Sequence, residues 1–146
     1  MPVTVLDVAT CILQKQGGMT AMKLQKLVYY AQAWSLVWDE RPLFDSRIEA
    51  WANGPVCPDL YNEHRGLFWV DSLPGNPANL DRDAIETVDA VLAYYGNRHP
   101  QWLSDLTHSE SPWLEAREGL ADGERSNREI THAAMAEYYG GLSPGS

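Results

Sequence analysis

From Thr20 to Trp38 the apolar residues Leu24, Leu27, Val28, Ala31, Trp34 and Trp38 recur every three or four positions, the spacing that lines one face of an α-helix. At ~1.5 Å rise per residue this helix is roughly 28 Å long, about the width of a small domain, so it is expected to cross the core. Gly17-Gly18 and Thr20 mark its start. An earlier stripe, Val5, Val8, Ala9, Ile12 and Leu13, predicts a first helix from Thr4, with Asp7 completing a capping-box-like pair and Gly17 ending it. The short break between the two predicts an antiparallel helical hairpin.

After Asp39 the helical period stops. Arg41 to Phe44 and Ile48 to Trp51, separated by Asp45-Ser46-Arg47, predict a small two-stranded β-hairpin. Asn53-Gly54-Pro55 re-aims the backbone, and Pro58 suits the first turn of a helix to about His64. Gly66 to Val70 is read as irregular, and the stretch 72–79, with Pro74, Gly75 and Pro77, as a loop. Asp81, with the Leu80/Ile85 staple, predicts a helix from Arg82 to Tyr95 whose outer face carries Asp83, Glu86 and Asp89. Shorter helices follow: Gln101 to Thr107, burying Trp102, Leu103 and Leu106; Ser111-Pro112 to Arg117, turning Trp113 and Leu114 inward; and Thr131 to Tyr139, stopped by Gly140-Gly141. Between the last two, 119–128 is a polar surface connection, and Leu142 to Ser146 are expected to fray. The expected fold is mainly α: one compact multi-helix domain spanning 1–146, with one long central helix and the hairpin.

Length and a 45% hydrophobic content provide enough apolar mass for a core without staples. Cys11 and Cys57 stand far apart and outside any paired-cysteine motif, Met1-Pro2-Val3-Thr4 lacks a secretory pattern, and no apolar run approaches membrane-spanning length. These features predict a cytoplasmic protein with no membrane partner. Net charge is −9, unevenly distributed: residues 1–70 hold seven acids and six bases, the remainder 13 and five. An acidic C-terminal half repels phosphate backbones and attracts cationic protein surfaces. Lys15, Lys23 and Lys26 form too small a basic cluster to reverse that, so direct nucleic-acid binding is not expected.

Candidate chemistry is sparse. Cys57 before a helix N-terminus, with His64 as base, has the placement of a nucleophile, but no third group or Gly-rich oxyanion turn accompanies it, so a small filler at a half-buried cap position is the favoured reading. His64, His99, His108 and His132 form no metal-ligand pattern, and no phosphate loop or dinucleotide fingerprint is present, so neither metal nor cofactor is expected. Six tryptophans and seven tyrosines suggest interface anchors. Tyr29 and Tyr30 are adjacent on one helix, so one of them is expected to face solvent or a partner.

Lys23-Leu24-Gln25-Lys26-Leu27-Val28-Tyr29-Tyr30-Ala31-Gln32-Ala33-Trp34, Pro42-Leu43-Phe44, Ile48 to Trp51 and Asn53-Gly54-Pro55-Val56 with Pro58 and Leu60-Tyr61 together resemble the Panacea-domain (SocA-like) antitoxin family, a phage-associated module. Leu106 to Trp113 is similar to its second signature and Glu137-Tyr138-Tyr139 to its end, so the resemblance spans nearly the whole chain. It implies a non-enzymatic protein that binds and neutralises a cognate protein toxin, by masking it or by delivering it to a protease such as an AAA+ unfoldase complex. The toxin is expected to be basic and encoded by an adjacent gene. Tyr30, Trp51, Asn53, Asp59, Tyr61, Asp83, Glu86 and Asp89 are the candidate partner-binding residues. The alternatives are a small cysteine hydrolase using Cys57 and a transcriptional regulator of its own operon.

Overall fold

Thr4 is extended and its Oγ1 accepts from the amide of Asp7 (3.2 Å), whose Oδ2 accepts in return from the Thr4 amide (3.0 Å). This reciprocal cap starts α1 (Val5–Gln16), which ends where Gly17 turns to φ +90°. The Asp7 carboxylate also accepts from the Asn76 amide and from Asn79 Nδ2, anchoring the 72–79 loop and its 3-10 turn, Pro77–Asn79, to the first helix. The computed structural model describes residues 2–142. Leu142 closes the last helix, and the rest of the tail expected to fray, 143–146, lies outside the described residues.

After β1 (Met19–Thr20), the Thr20 hydroxyl caps α2 (Ala21–Trp38) by accepting from the Lys23 amide. The sequence pattern assigns α2 one apolar face, yet the helix is buried on nearly all sides, because α1, α4 (Arg82–Tyr95), α5 (Pro100–Ser109) and α7 (His132–Leu142) surround it. Tyr29 and Tyr30 are therefore both inside, contrary to the expectation that one faces out. The Tyr30 hydroxyl donates to Glu110 Oε1 (2.7 Å), as does that of Tyr139 (2.8 Å), while Tyr29 lies 3.0 Å from the Tyr139 oxygen. Tyr30 stacks on Tyr95 at 4.0 Å, and Trp34 donates its indole N–H to the Tyr95 hydroxyl. Much of the aromatic content thus furnishes the core.

Two glutamines, seven residues apart on α2, anchor the chain that follows, and Gln32 with Ser35 accounts for the misplaced hairpin. Gln32 Oε1 accepts from the amide of Leu43 (2.7 Å), its Nε2 donates to the carbonyl of Phe44 (2.9 Å), and Ser35 Oγ donates to the Arg41 carbonyl. The backbone at 41–44 is thereby bonded to helix side chains and forms no ladder. The hairpin is instead β2 (Ile48–Trp51) against β3 (Gly54–Val56), with Ala52-Asn53 at its tip and Ala50 opposite Pro55. β5 (Glu129–Ile130) adds a third antiparallel strand beside β2. Gln25 performs the corresponding task further on, accepting from the Cys57 amide (2.9 Å) and donating to its carbonyl (3.3 Å), which places α3 (Pro58–His64). Gly66–Val70, expected to be irregular, contains β4 (Trp69–Val70), paired with β1.

α4 begins at the Asp81 cap and α5 at Pro100 as expected, whereas in α6 (Ser111–Ala116) Ser111 is the first helical residue rather than the cap, a position Glu110 takes with no side-chain cap bond. Trp102 and Leu114, expected inside, are exposed: these short helices turn Leu103, Thr107 and Trp113 toward the core, and Arg98 covers the outer Trp102 ring at 4.4 Å. Gly140-Gly141 does not stop α7, which continues through both once Met135 and Tyr139 are packed. Among the described residues no helix is long and apolar enough to cross a membrane.

Candidate functional site

A groove of about 630 Å³ opens at the hairpin tip, lined by Glu49, Trp51, Ala52, Asn53 and Tyr61 on one side and by Arg125, Ser126 and Asn127 on the other. Trp51 and Tyr61 meet edge to face, centroids 5.0 Å apart, on β2 and α3. Glu49 Oε1 accepts from the Trp51 indole (2.9 Å) and its Oε2 lies 3.0 Å from Arg47 Nε, so this carboxylate is already engaged. The side chains of Asn53, Arg125 and Asn127 and the Tyr61 hydroxyl have no hydrogen-bond partner among the described residues. Such a wall offers apolar contact and donors of fixed placement together.

The groove is held from behind by the second signature. Trp113 Nε1 donates to the Trp51 carbonyl (2.9 Å), Arg117 Nη1 donates to that of Ala50 (3.0 Å), and His108 Nε2 lies 3.3 Å from that of Ala52. Three successive carbonyls of the hairpin are thereby contacted from α5, α6 and the residue that follows α6. Arg117 also reaches the carbonyls of Ala121 and Glu124, Arg47 donates to that of Asn127, and Arg128 donates to that of Glu118, so the 119–128 connection is pinned at three of its own carbonyls and through Arg128 as the groove's far lip. Arg117→Ala should cost about 2–4 kcal/mol through buried acceptors left without donors. Urea denaturation reads that loss, and limited proteolysis should place the new cleavage within 118–128.

Of the sequence-predicted residues, Trp51, Asn53 and Tyr61 come together in the groove. Asp59 is exposed on α3, two residues before Tyr61, its Oδ2 accepting from Ser46 Oγ (2.6 Å). Tyr30 does not belong to this surface: it is fully buried and bonded to Glu110, so it is unavailable to a partner without unfolding. Asp83, Glu86 and Asp89 are exposed on α4, and none lines the groove. Asp89 is paired with Lys15 (2.8 Å) and Glu86 lies 3.9 Å from Arg82, while Asp83 is in no ion pair among the described residues. A separate exposed apolar strip, Leu67, Phe68 and Trp69, stands beside Met22 at the start of α2.

Cys57 is at the N-terminus of α3 as the sequence places it, but its thiol is buried, and burial pushes it up to about 11, opposite to what a nucleophile needs. His64 Nε2 sits 2.9 Å from Gln25 Nε2, so its lone pair is directed at an amide. No group of three or more His, Cys, Asp or Glu among the described residues is placed to hold a metal. Burial pushes the Glu110 carboxyl up, and the Tyr30 and Tyr139 hydroxyls pull it part of the way back.

The sequence reading missed Lys26. It belongs to no surface cluster: it is 2% exposed, and its ammonium rests against Gly54, where φ is +123° and an added β-carbon would sit 2.9 Å from Nζ. No carboxylate or acceptor bonds to it among the described residues, and burial pulls the amine down to about 8. Arg125, Ser126 and Asn127 were missed as well, since nothing local reveals where a polar connection comes to rest.

Together these residues form a concave aromatic and hydrogen-bonding wall carried on a helical frame. The chain belongs to the family described as Antitoxin SocA-like, Panacea domain, whose model matches residues 24–114. It is also 31% identical over 125 residues to Antitoxin SocA of Caulobacter vibrioides, an alignment covering 73% of this chain and 66% of that relative, slightly under two thirds of its length. Both matches support an antitoxin role. No solved structure matches it.

Proposed function

We propose that this chain is a non-enzymatic cytoplasmic antitoxin, acting as one unit, that binds a cognate protein toxin in the groove between the hairpin tip and the 119–128 connection. The observation that carries this reading is the convergence of Trp51, Tyr61 and unbonded Asn53, Asn127 and Arg125 side chains on one braced concave surface. Direct masking is the simpler mode, since a groove of this size needs only one inserted segment; delivery to an AAA+ protease requires a second surface, for which the Leu67–Trp69 strip is available. The exposed acids of α4 then act at long range, speeding encounter with a basic toxin.

Co-expression with the product of the adjacent gene tests this reading. Growth should be restored by the chain, and restored equally in cells lacking the AAA+ protease if masking is the mode. A neighbouring product that is harmless, or that is neutralised equally well when Trp51 and Tyr61 are both alanine, contradicts the reading.

A further inference from the structure

The charges around the groove do not balance in the direction that the whole molecule suggests. At −9 the protein is acidic, yet the carboxylate lining the groove, Glu49, is occupied by Arg47 and by the Trp51 indole. Arg125, on the opposite lip, has neither an ion pair nor a hydrogen bond among the described residues. Behind the tip, Lys26 holds its ammonium against Gly54, the residue following Asn53 in the wall. Every fully buried side-chain polar atom among the described residues has a partner, whereas this ammonium has none, so it retains a narrow contact with solvent. Two cations thus flank the groove, one on its rim and one behind its tip, neither with an anion.

We propose that the groove accepts an extended segment of the partner protein that presents a carboxylate, from Asp, Glu or a chain terminus, next to an apolar side chain. This rests on the preceding reading that the groove is the toxin-binding surface, and specifies what it takes. The apolar side chain packs against the Trp51–Tyr61 pair, Asn53 and Asn127 bond the extended backbone, and Arg125 receives the carboxylate in a two-pronged contact that a guanidinium makes well. Lys26 contributes through the thin wall at Gly54, in a medium where charge is poorly screened. The acids of α4 do not compete for Arg125 within the groove, since none of them lines it. The partner can therefore be basic overall and still insert an acidic segment.

The test is an NMR titration with three blocked peptides, acetyl-Ala-Leu-Phe-Asp-Ala-amide and its Asn and Lys counterparts. The Asp peptide should shift the Trp51 indole, the Asn53 and Asn127 side-chain amides and the Arg125 Nε–H, and bind at least about fivefold tighter than the Asn peptide, with the Lys peptide weakest. Arg125→Ala and Lys26→Met should each narrow the Asp–Asn gap to about twofold or less while the Trp51 shift on saturation remains, which a purely structural role for either residue would not produce. Equal binding of the three peptides, preference for Lys, shifts confined to other surfaces, or no binding at millimolar peptide overturns the proposal. Shifts produced as fully by acetate alone also overturn it, since the site would then be one for a small anion. If rescue of cells depends on Trp51 and Tyr61 but the peptides are not discriminated, this inference falls and the toxin-binding reading stands; if rescue is independent of both aromatics, that reading falls first.

Discussion

Replacing Lys26 by methionine should stabilise the protein at pH 7 by on the order of 3 kcal/mol, taking 1.36 kcal/mol for each unit by which burial displaces the amine. The native amine titrates at about 8 and the unfolded one at 10.5. Between those values the native state binds fewer protons than the unfolded state, so wild-type stability rises with pH across that interval. Below about pH 8 the penalty of a buried ammonium is fully present, and above 10.5 it is gone. The advantage of methionine should accordingly be largest at pH 7 and shrink toward pH 10.5. The buried tyrosines titrate alike in both proteins and cancel in the difference. Paired urea denaturations at pH 7 and pH 10 measure this; a less stable methionine variant at pH 7 would mean that the ammonium is bonded after all.

The second large effect concerns the anchor. Trp51→Ala should weaken toxin binding by about 2–4 kcal/mol, roughly 30- to 900-fold, as loss of a central aromatic does at other interfaces. The hairpin itself should survive, because Trp113 and Arg117 hold it by the carbonyls of Trp51 and Ala50, which the substitution leaves in place. Calorimetry on the purified pair gives the affinity, and a melting curve near that of the wild type separates lost binding from lost folding. Charge reversal of Asp83 and Glu86 should behave differently, slowing association a few-fold at low salt with little change in dissociation. Equal affinity losses from both substitutions would extend the interface to α4.

Local chemistry made much of this fold legible in the sequence. Thr4 with Asp7, Thr20, Asp81, Pro58 and Pro100 start helices where they stand because a cap or a missing amide hydrogen acts within one turn. The hairpin was misread because its competitor is distant in the chain: Gln32 and Ser35 take the backbone of 41–44, and no pattern within that stretch announces it. Gln25 and Gln32 are nonetheless a usable signal, since two amides within an otherwise apolar helix must find partners once buried. Tyr30 was misassigned through the assumption that α2 has a solvent side, whereas so apolar a helix is enclosed by its neighbours.

For the site, Trp51, Asn53 and Tyr61 were legible because turn chemistry and aromatic residues coincide there. Arg125, Ser126 and Asn127 were not, because the 119–128 connection takes its position from arginine-to-carbonyl bonds spanning up to 80 residues. The second signature gains a physical meaning from the same geometry: His108 and Trp113 brace the hairpin, and Glu110 organises the tyrosine core.

Hydrogen–deuterium exchange on the toxin complex, read against the free chain, tests the groove most directly. Binding there should slow exchange at 49–53, around Tyr61 and at 125–128, with α4 and Leu67–Trp69 unchanged under masking. Protection confined to α4 or to Leu67–Trp69, with the hairpin tip exchanging as in the free protein, would contradict the account.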